Sequence, residues 1–122
     1  MSRERQILGK LGEDLACQEL QRRGYAILAR RYRRRGGELD IIARDGQTVV
    51  FVEVKTRESC EFGTGGESVN GRKRRRMADV ALDYLARNRL TESPCRFDVV
   101  SIDMAEGTPR IELYRNAFDV GG

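Results

Sequence analysis

The sequence contains no histidine. That absence removes His-based general bases, Ser-His-Asp triads and the usual zinc-finger and haem-ligating patterns together. Cysteine does not fill the gap. Cys17, Cys60 and Cys95 are odd in number and far apart, and such thiols are expected to stay reduced, as in a cytosol. No apolar run reaches membrane-spanning length and no charged, apolar and cleavable leader is visible, so a cytoplasmic rather than a secreted or membrane protein is expected. The glycines between Gly63 and Gly71 lack the Lys-Ser/Thr ending of a phosphate-binding P-loop. Internal repeats, linkers and low-complexity segments are also missing.

What remains is 122 residues with 34% charged and 39% apolar side chains. This suits one domain with one modest core, expected over residues 1–116, followed by a frayed tail at 117–122. Twenty-three Lys and Arg against 19 Asp and Glu leave a net charge of +4, and the excess is arginine. Basic patches of this kind predict a polyanionic partner without implying catalysis.

The most informative stretch is Gly37 to Arg57. Two β-branched apolar runs flank Asp45-Gly46, the dipeptide that most readily makes a tight hairpin. With Arg44 and Gln47 closing the turn, Asp40 faces Phe51 and Glu38 faces Glu53. Alternation sends Val50, Val52 and Val54 to one face. Val49, Phe51, Glu53 and Lys55 take the other face, with Glu38, Asp40 and Ile42. Asp40 and Glu53 are then diagonal neighbours, roughly 7–8 Å apart at the backbone. Like charges opposed on paired strands are destabilising, and a buried carboxylate without a partner would sooner neutralise than ionise. A divalent cation on Asp40 and Glu53 removes that penalty. Glu53 and Lys55 as solvated side chains at a hairpin end is the plainer reading of the tripeptide alone.

Gly37-Glu38-Leu39-Asp40 followed by Val52-Glu53-Val54-Lys55 resembles the PD-(D/E)XK nuclease signature, with Leu39 where the name has proline. More closely, from about Leu8 to Arg115 the chain resembles the YraN family of small bacterial proteins related to Holliday-junction resolvases. The resemblance implies a restriction-endonuclease-like α/β fold, a mixed sheet with helices on both faces in the order α-β-β-β-α-β-β. It also implies that Glu13, by itself an ordinary helix carboxylate, completes a metal site with Asp40 and Glu53, and that Lys73 faces substrate. The Phe62-Gly63-Thr64-Gly65-Gly66 loop departs from the family's proline-containing segment.

Around this hairpin the periodicity predicts helices over Ser2–Arg23 and Arg72–Leu90, and strands over Tyr25–Tyr32, Arg96–Ile102 and Pro109–Tyr114. The first helix shows an apolar stripe of Ile7, Leu8, Leu11, Leu15, Ala16 and Leu20, interrupted by Gly9 and Gly12, which suggest a close approach. In the second helix Met77, Val80, Ala81, Tyr84 and Leu85 form the core face. Arg30, Arg31, Arg33, Arg34 and Arg35 surround Tyr32, a residue able to stack on an unpaired base. Arg72, Lys73, Arg74, Arg75 and Arg76 open the second helix, where positive charge opposes the macrodipole. Both clusters suit phosphates.

The expected activity is metal-dependent hydrolysis of DNA phosphodiesters, on branched or otherwise structured DNA. Mg²⁺ or Mn²⁺ would sit on Asp40, Glu53 and Glu13, with Lys55 orienting the attacking water or stabilising developing charge. A non-catalytic nucleic-acid binder, an RNA-directed role and a protein-docking role remain open, and a homodimer follows only from the related resolvases.

Overall fold

In a computed structural model five strands form one mixed sheet in the order β1-β2-β3-β4-β5. The structure describes residues 3–57, 71–105 and 107–117. The elements are α1 (Arg3–Arg22), β1 (Ala26–Arg34), β2 (Gly37–Asp45), β3 (Thr48–Arg57), α2 (Gly71–Arg87), β4 (Cys95–Asp103) and β5 (Arg110–Tyr114). Among the described residues only β3 and β4 pair in parallel, with α2 in the connection between them, as a parallel crossover requires. The order α-β-β-β-α-β-β and the two-faced cover are those of a restriction-endonuclease-like core. The glycine-rich segment 58–70, with Cys60, and the terminal residues 118–122 lie outside the described residues, as does Glu106.

Each face of the sheet builds its own core. Leu39, Ile42, Val49, Phe51, Phe97 and Val99 pack against Met77, Val80, Ala81, Tyr84 and Leu85 of α2, the face expected from the sequence. Ile41, Ala43, Val50, Val52, Val100 and Ile102 pack against Ala16, Cys17 and Leu20 of α1. Burying these branched side chains on both faces removes apolar surface from water and supplies the main driving force for the fold.

The inward face of α1 differs from the stripe read in the sequence. Ile7 and Leu11 are exposed, while Gly12 is buried. Gly12, Glu13, Ala16 and Leu20 recur at helical spacing and define the face turned to the sheet. The reason is contact distance: a Cβ on Gly12 would collide with Thr56 Oγ1 and come within 3.1 Å of Thr56 Cβ. The neighbour is a β3 side chain, and α1 lies against β3 because Gly12 has none. Gly9 meets nothing that close.

The hairpin register also differs. Asp45 pairs with Thr48 and Ile41 with Val52, so the loop residues are Gly46 and Gln47 and every pair moves by two. Gly46 has φ of +62° and takes the first central position, as glycine does in type II′ turns. A turn built on Asp45-Gly46 would have required positive φ at Asp45 as well. Because the shift is even, the side chains of β3 keep their faces, whereas in β2 Leu39 joins Ile42 in the α2-side core while Ile41 lies in the α1-side core, so the alternation expected through Glu38, Asp40 and Ile42 breaks between Leu39 and Ile42.

At the turn end of the sheet sits a polar network within the core. Asp98 is fully buried and accepts from Tyr25 Oη at 3.3 Å, Arg96 Nε at 3.1 Å and the Asn116 amide at 2.8 Å. Arg96 also donates to Tyr25 Oη at 2.6 Å and to Asp45 at 2.9 Å. These bonds tie β4 to the hairpin turn and to the chain after β5. Ala117 is docked too, its amide donating to the Phe97 carbonyl at 2.8 Å.

Candidate metal and nucleic-acid site

Strands β2 and β3 separate at the candidate carboxylates. Their pairing ends at Ile41 and Val52, whereas β3 stays paired with β4 from Val49 to Arg57. One residue past the last pair, Asp40 comes level with Glu53 instead of lying diagonal to it, and Glu38 comes level with Lys55. The expected clash of Glu38 with Glu53 is therefore absent, and Arg33 Nε donates to Glu38 at 3.1 Å. Asp40 turns into the fork, where its carboxylate accepts the Val54 amide at 2.8 Å.

Asp40 lines two clefts. One, about 420 Å³, lies on the α1 side between Leu8, Gly9, Glu13, Val54 and Thr56. The other, about 360 Å³, lies on the α2 side and is walled by Glu38, Glu53, Arg72, Lys73, Arg76 and Met77. Glu53 is only 5% exposed, and Lys73 makes an ion pair with it. Burial pushes the Asp40 carboxyl up to about 8, helped by a hydrogen bond to Glu53 and by that carboxylate's charge, with the Val54 amide opposing. Lys55 is partly buried; its ammonium is pushed down by burial and then by the neighbouring charge of Lys73.

Glu13 projects into the α1 cleft from the turn that Gly12 presses onto β3. Its side chain is 12% exposed and contacts Arg31 Nε at 3.1 Å and Arg30 at 3.6 Å. Among the described residues no three carboxylate or thiol groups converge at metal-holding spacing. The half-buried Asp40 and buried Glu53 are nevertheless a donor set that a hard divalent ion fits, since the ion would relieve the repulsion between two neighbouring carboxylates.

The arginine clusters differ from each other. Arg30 binds Asp14 at 2.8 Å, Arg31 binds Glu13, Arg33 binds Glu38, and Arg34 binds Asp83 at 2.9 Å. Tyr32 donates to Asp83 at 2.8 Å, meets Tyr84 edge-on at 5.1 Å and is covered by Arg34 at 4.5 Å. Its ring is accordingly a packing element and does not offer a free face for stacking. Arg35 and the start of α2 carry the outward charge, with Arg72, Lys73, Arg75 and Arg76 all exposed and Arg74 half-buried. The Lys73 contact with Glu53 and the Arg31 contact with Glu13 were not legible in the sequence, which showed these residues only as members of charge runs.

Fold and site together define a restriction-endonuclease-like α/β domain with an acidic pair at the fork of two sheet strands. The sequence profile of the uncharacterised protein family UPF0102 matches residues 12–102. The chain is 47% identical to a UPF0102 protein of Geobacter metallireducens over 120 residues, covering 98% of each chain. It is 48% identical to one of Symbiobacterium thermophilum over 112 residues, covering 91% of this chain and 95% of that one, and 44% identical to one of Pseudomonas aeruginosa over 114 residues, covering 91% of both. The chain belongs to UPF0102, the YraN family. No described helix is long and apolar enough to cross a membrane.

Proposed function

We propose that this protein is a metal-dependent nuclease that hydrolyses DNA phosphodiesters, with branched or otherwise structured DNA as the preferred class. The observation that carries the reading is the carboxylate pair of half-buried Asp40 and buried Glu53, which line one cleft just past the end of the β2–β3 ladder, with Lys55 two residues further along β3. Asp40 and Glu53 would hold Mg²⁺ or Mn²⁺, with Glu13 across the α1 cleft as a further ligand, direct or through water. When bound, such an ion polarises the scissile phosphate and lowers the pKa of an attacking water. The Lys55 ammonium orients that water or stabilises charge that develops on the phosphate oxygens. Substrate reaches the site from the α2 side, where Arg72, Lys73 and Arg76 line the cleft and Arg74 and Arg75 extend the charge. These contacts hold the backbone and do not read bases, so sequence preference is weak.

Cleavage of labelled four-way junction, flap, single-stranded and plain duplex DNA, with Mg²⁺, Mn²⁺ or EDTA, tests the reading. Metal-dependent cutting that is lost in Asp40→Asn and Lys55→Ala, with DNA affinity kept within a few-fold, is the expected result. A Lys55→Ala protein that cuts at the original rate refutes the role of Lys55. One observation favours a second reading, a non-catalytic DNA binder of the same fold: Glu13 is engaged by Arg31. Salt-sensitive binding without cutting under any metal would establish that alternative.

A further inference from the structure

We propose that Lys73 and Arg31 are internal counter-cations that occupy Glu53 and Glu13 in the metal-free protein. They pass to backbone phosphates when a divalent ion takes the carboxylates, which makes metal and nucleic acid bind cooperatively. The proposal rests on the metal-site reading above and adds the order in which the charges are exchanged.

Two nearly buried carboxylates each meet a long basic side chain that is itself half-exposed, and Glu13 has Arg30 at 3.6 Å as well. The Glu53 side chain is 7% exposed and Lys73 47%; the Glu13 side chain is 12% exposed and Arg31 47%. Each cation therefore reaches inward from the surface along a flexible stem, an arrangement that can reverse without repacking a core. Glu13 lines the α1-side cleft, and Glu53 with Lys73 lines the α2-side cleft, Asp40 being common to both.

Arg31 is placed for this purpose by an unusual backbone. Consecutive strand residues point to opposite faces, yet Arg30 and Arg31 both reach α1, to Asp14 and Glu13. Arg31 has φ of +51°, a conformation that non-glycine residues adopt only when their surroundings impose it. The β1–β2 ladder passes from Arg30 with Ile41 to Tyr32 with Leu39, leaving Arg31 at the register position of Asp40. The departure from regular strand geometry thus brings one guanidinium beside the fork.

A divalent ion on these carboxylates would sit close to the ammonium and guanidinium that now hold them, and like charges at such separations repel. Both cations must then turn outward. Lys73 turns into the cleft it shares with Arg72 and Arg76, where a phosphate would receive it. By linkage, nucleic acid that captures the cations strengthens metal binding by the same factor that metal strengthens nucleic-acid binding.

Calorimetric titration of Ca²⁺, in the absence and presence of a saturating plain DNA duplex, tests the exchange without relying on cleavage. Wild type should bind Ca²⁺ about tenfold more tightly with DNA than without, within the usual range of coupling. Lys73→Met, and separately Arg31→Gly, should bind Ca²⁺ several-fold more tightly without DNA and lose most of the DNA-dependent gain. Glycine accepts the positive φ at position 31, so that variant keeps its fold even if Lys73→Met does not. Equal Ca²⁺ affinity in wild type and both variants, or weaker affinity in the variants, overturns the exchange and leaves the metal site standing. No Ca²⁺ binding to any form refutes the metal site itself, and the exchange falls with it.

Discussion

Replacing Asp40 with asparagine should stabilise the metal-free protein, and by more as pH rises. The Asp40 carboxyl is raised from its ordinary 3.8 to about 8, first by burial and then by Glu53. A folded-state pKa above the unfolded one means that the native protein holds a proton which the unfolded chain has released. The stability linked to this proton is complete below about pH 4 and is lost as pH rises through about 8. Each pH unit in that window is worth at most about 1.4 kcal/mol, giving a ceiling of roughly 5–6 kcal/mol. Entry of water as the acid ionises lowers the realised effect to on the order of 2–3 kcal/mol at pH 8. Asparagine keeps an oxygen for the Val54 amide, which Asp40 now accepts at 2.8 Å, and has no proton to lose. In EDTA at pH 8 the variant should melt about 10 °C above wild type, and the two should converge near pH 4–5. Adding Mg²⁺ or Mn²⁺ should raise the wild-type Tm, by about 2.7 kcal/mol of stability at a hundred times Kd, and leave the variant unchanged. The assay is thermal unfolding followed by circular dichroism across pH 4–9. A variant that is less stable than wild type at pH 8, or whose stability follows the same pH slope, refutes the raised pKa of Asp40.

Three further outcomes follow from the geometry. Gly12→Ala should cost about 1–3 kcal/mol by forcing α1 off Thr56, and Thr56→Ala in the same chain should recover part of it; strict additivity in a urea double-mutant cycle would exclude the contact. Asp98→Ala should destabilise by about 3 kcal/mol because it removes the buried carboxylate that accepts from Arg96, Tyr25 and the Asn116 amide, leaving Arg96 with Asp45 as its only acid among the described residues, whereas Tyr25→Phe should cost about 1 kcal/mol; equal losses in urea unfolding would contradict the network. Arg72→Ala with Arg76→Ala should reduce the salt dependence of DNA affinity by about one phosphate contact each. Arg30→Ala with Arg34→Ala should leave that slope nearly unchanged, since both already bind acids within the protein.

Local chemistry made much of this protein legible in its sequence. Alternation in Val49 to Lys55 assigned every side chain of β3 to its face, and the error in register left that assignment intact because strands repeat every two residues. Helical spacing identified Met77, Val80, Ala81, Tyr84 and Leu85, since a core face on a helix is a property of neighbours three and four apart. The Gly37–Asp40 and Val52–Lys55 motifs carried a resemblance to the YraN family, and the family match bears out that membership. Tertiary structure decided what depends on residues far apart in the chain. On α1 the expected stripe holds at Leu15, Ala16 and Leu20 and fails at Ile7 and Leu11, because closeness to Thr56 turns Gly12 to the sheet. The charge runs gave no sign of which arginines meet acids, a question settled by where Asp14, Glu13 and Asp83 come to rest. Spacing also could not reveal that Lys73 reaches Glu53, twenty residues earlier and on another element. A residue's own periodicity fixes its direction on an element; the charge it faces is set only when the elements pack.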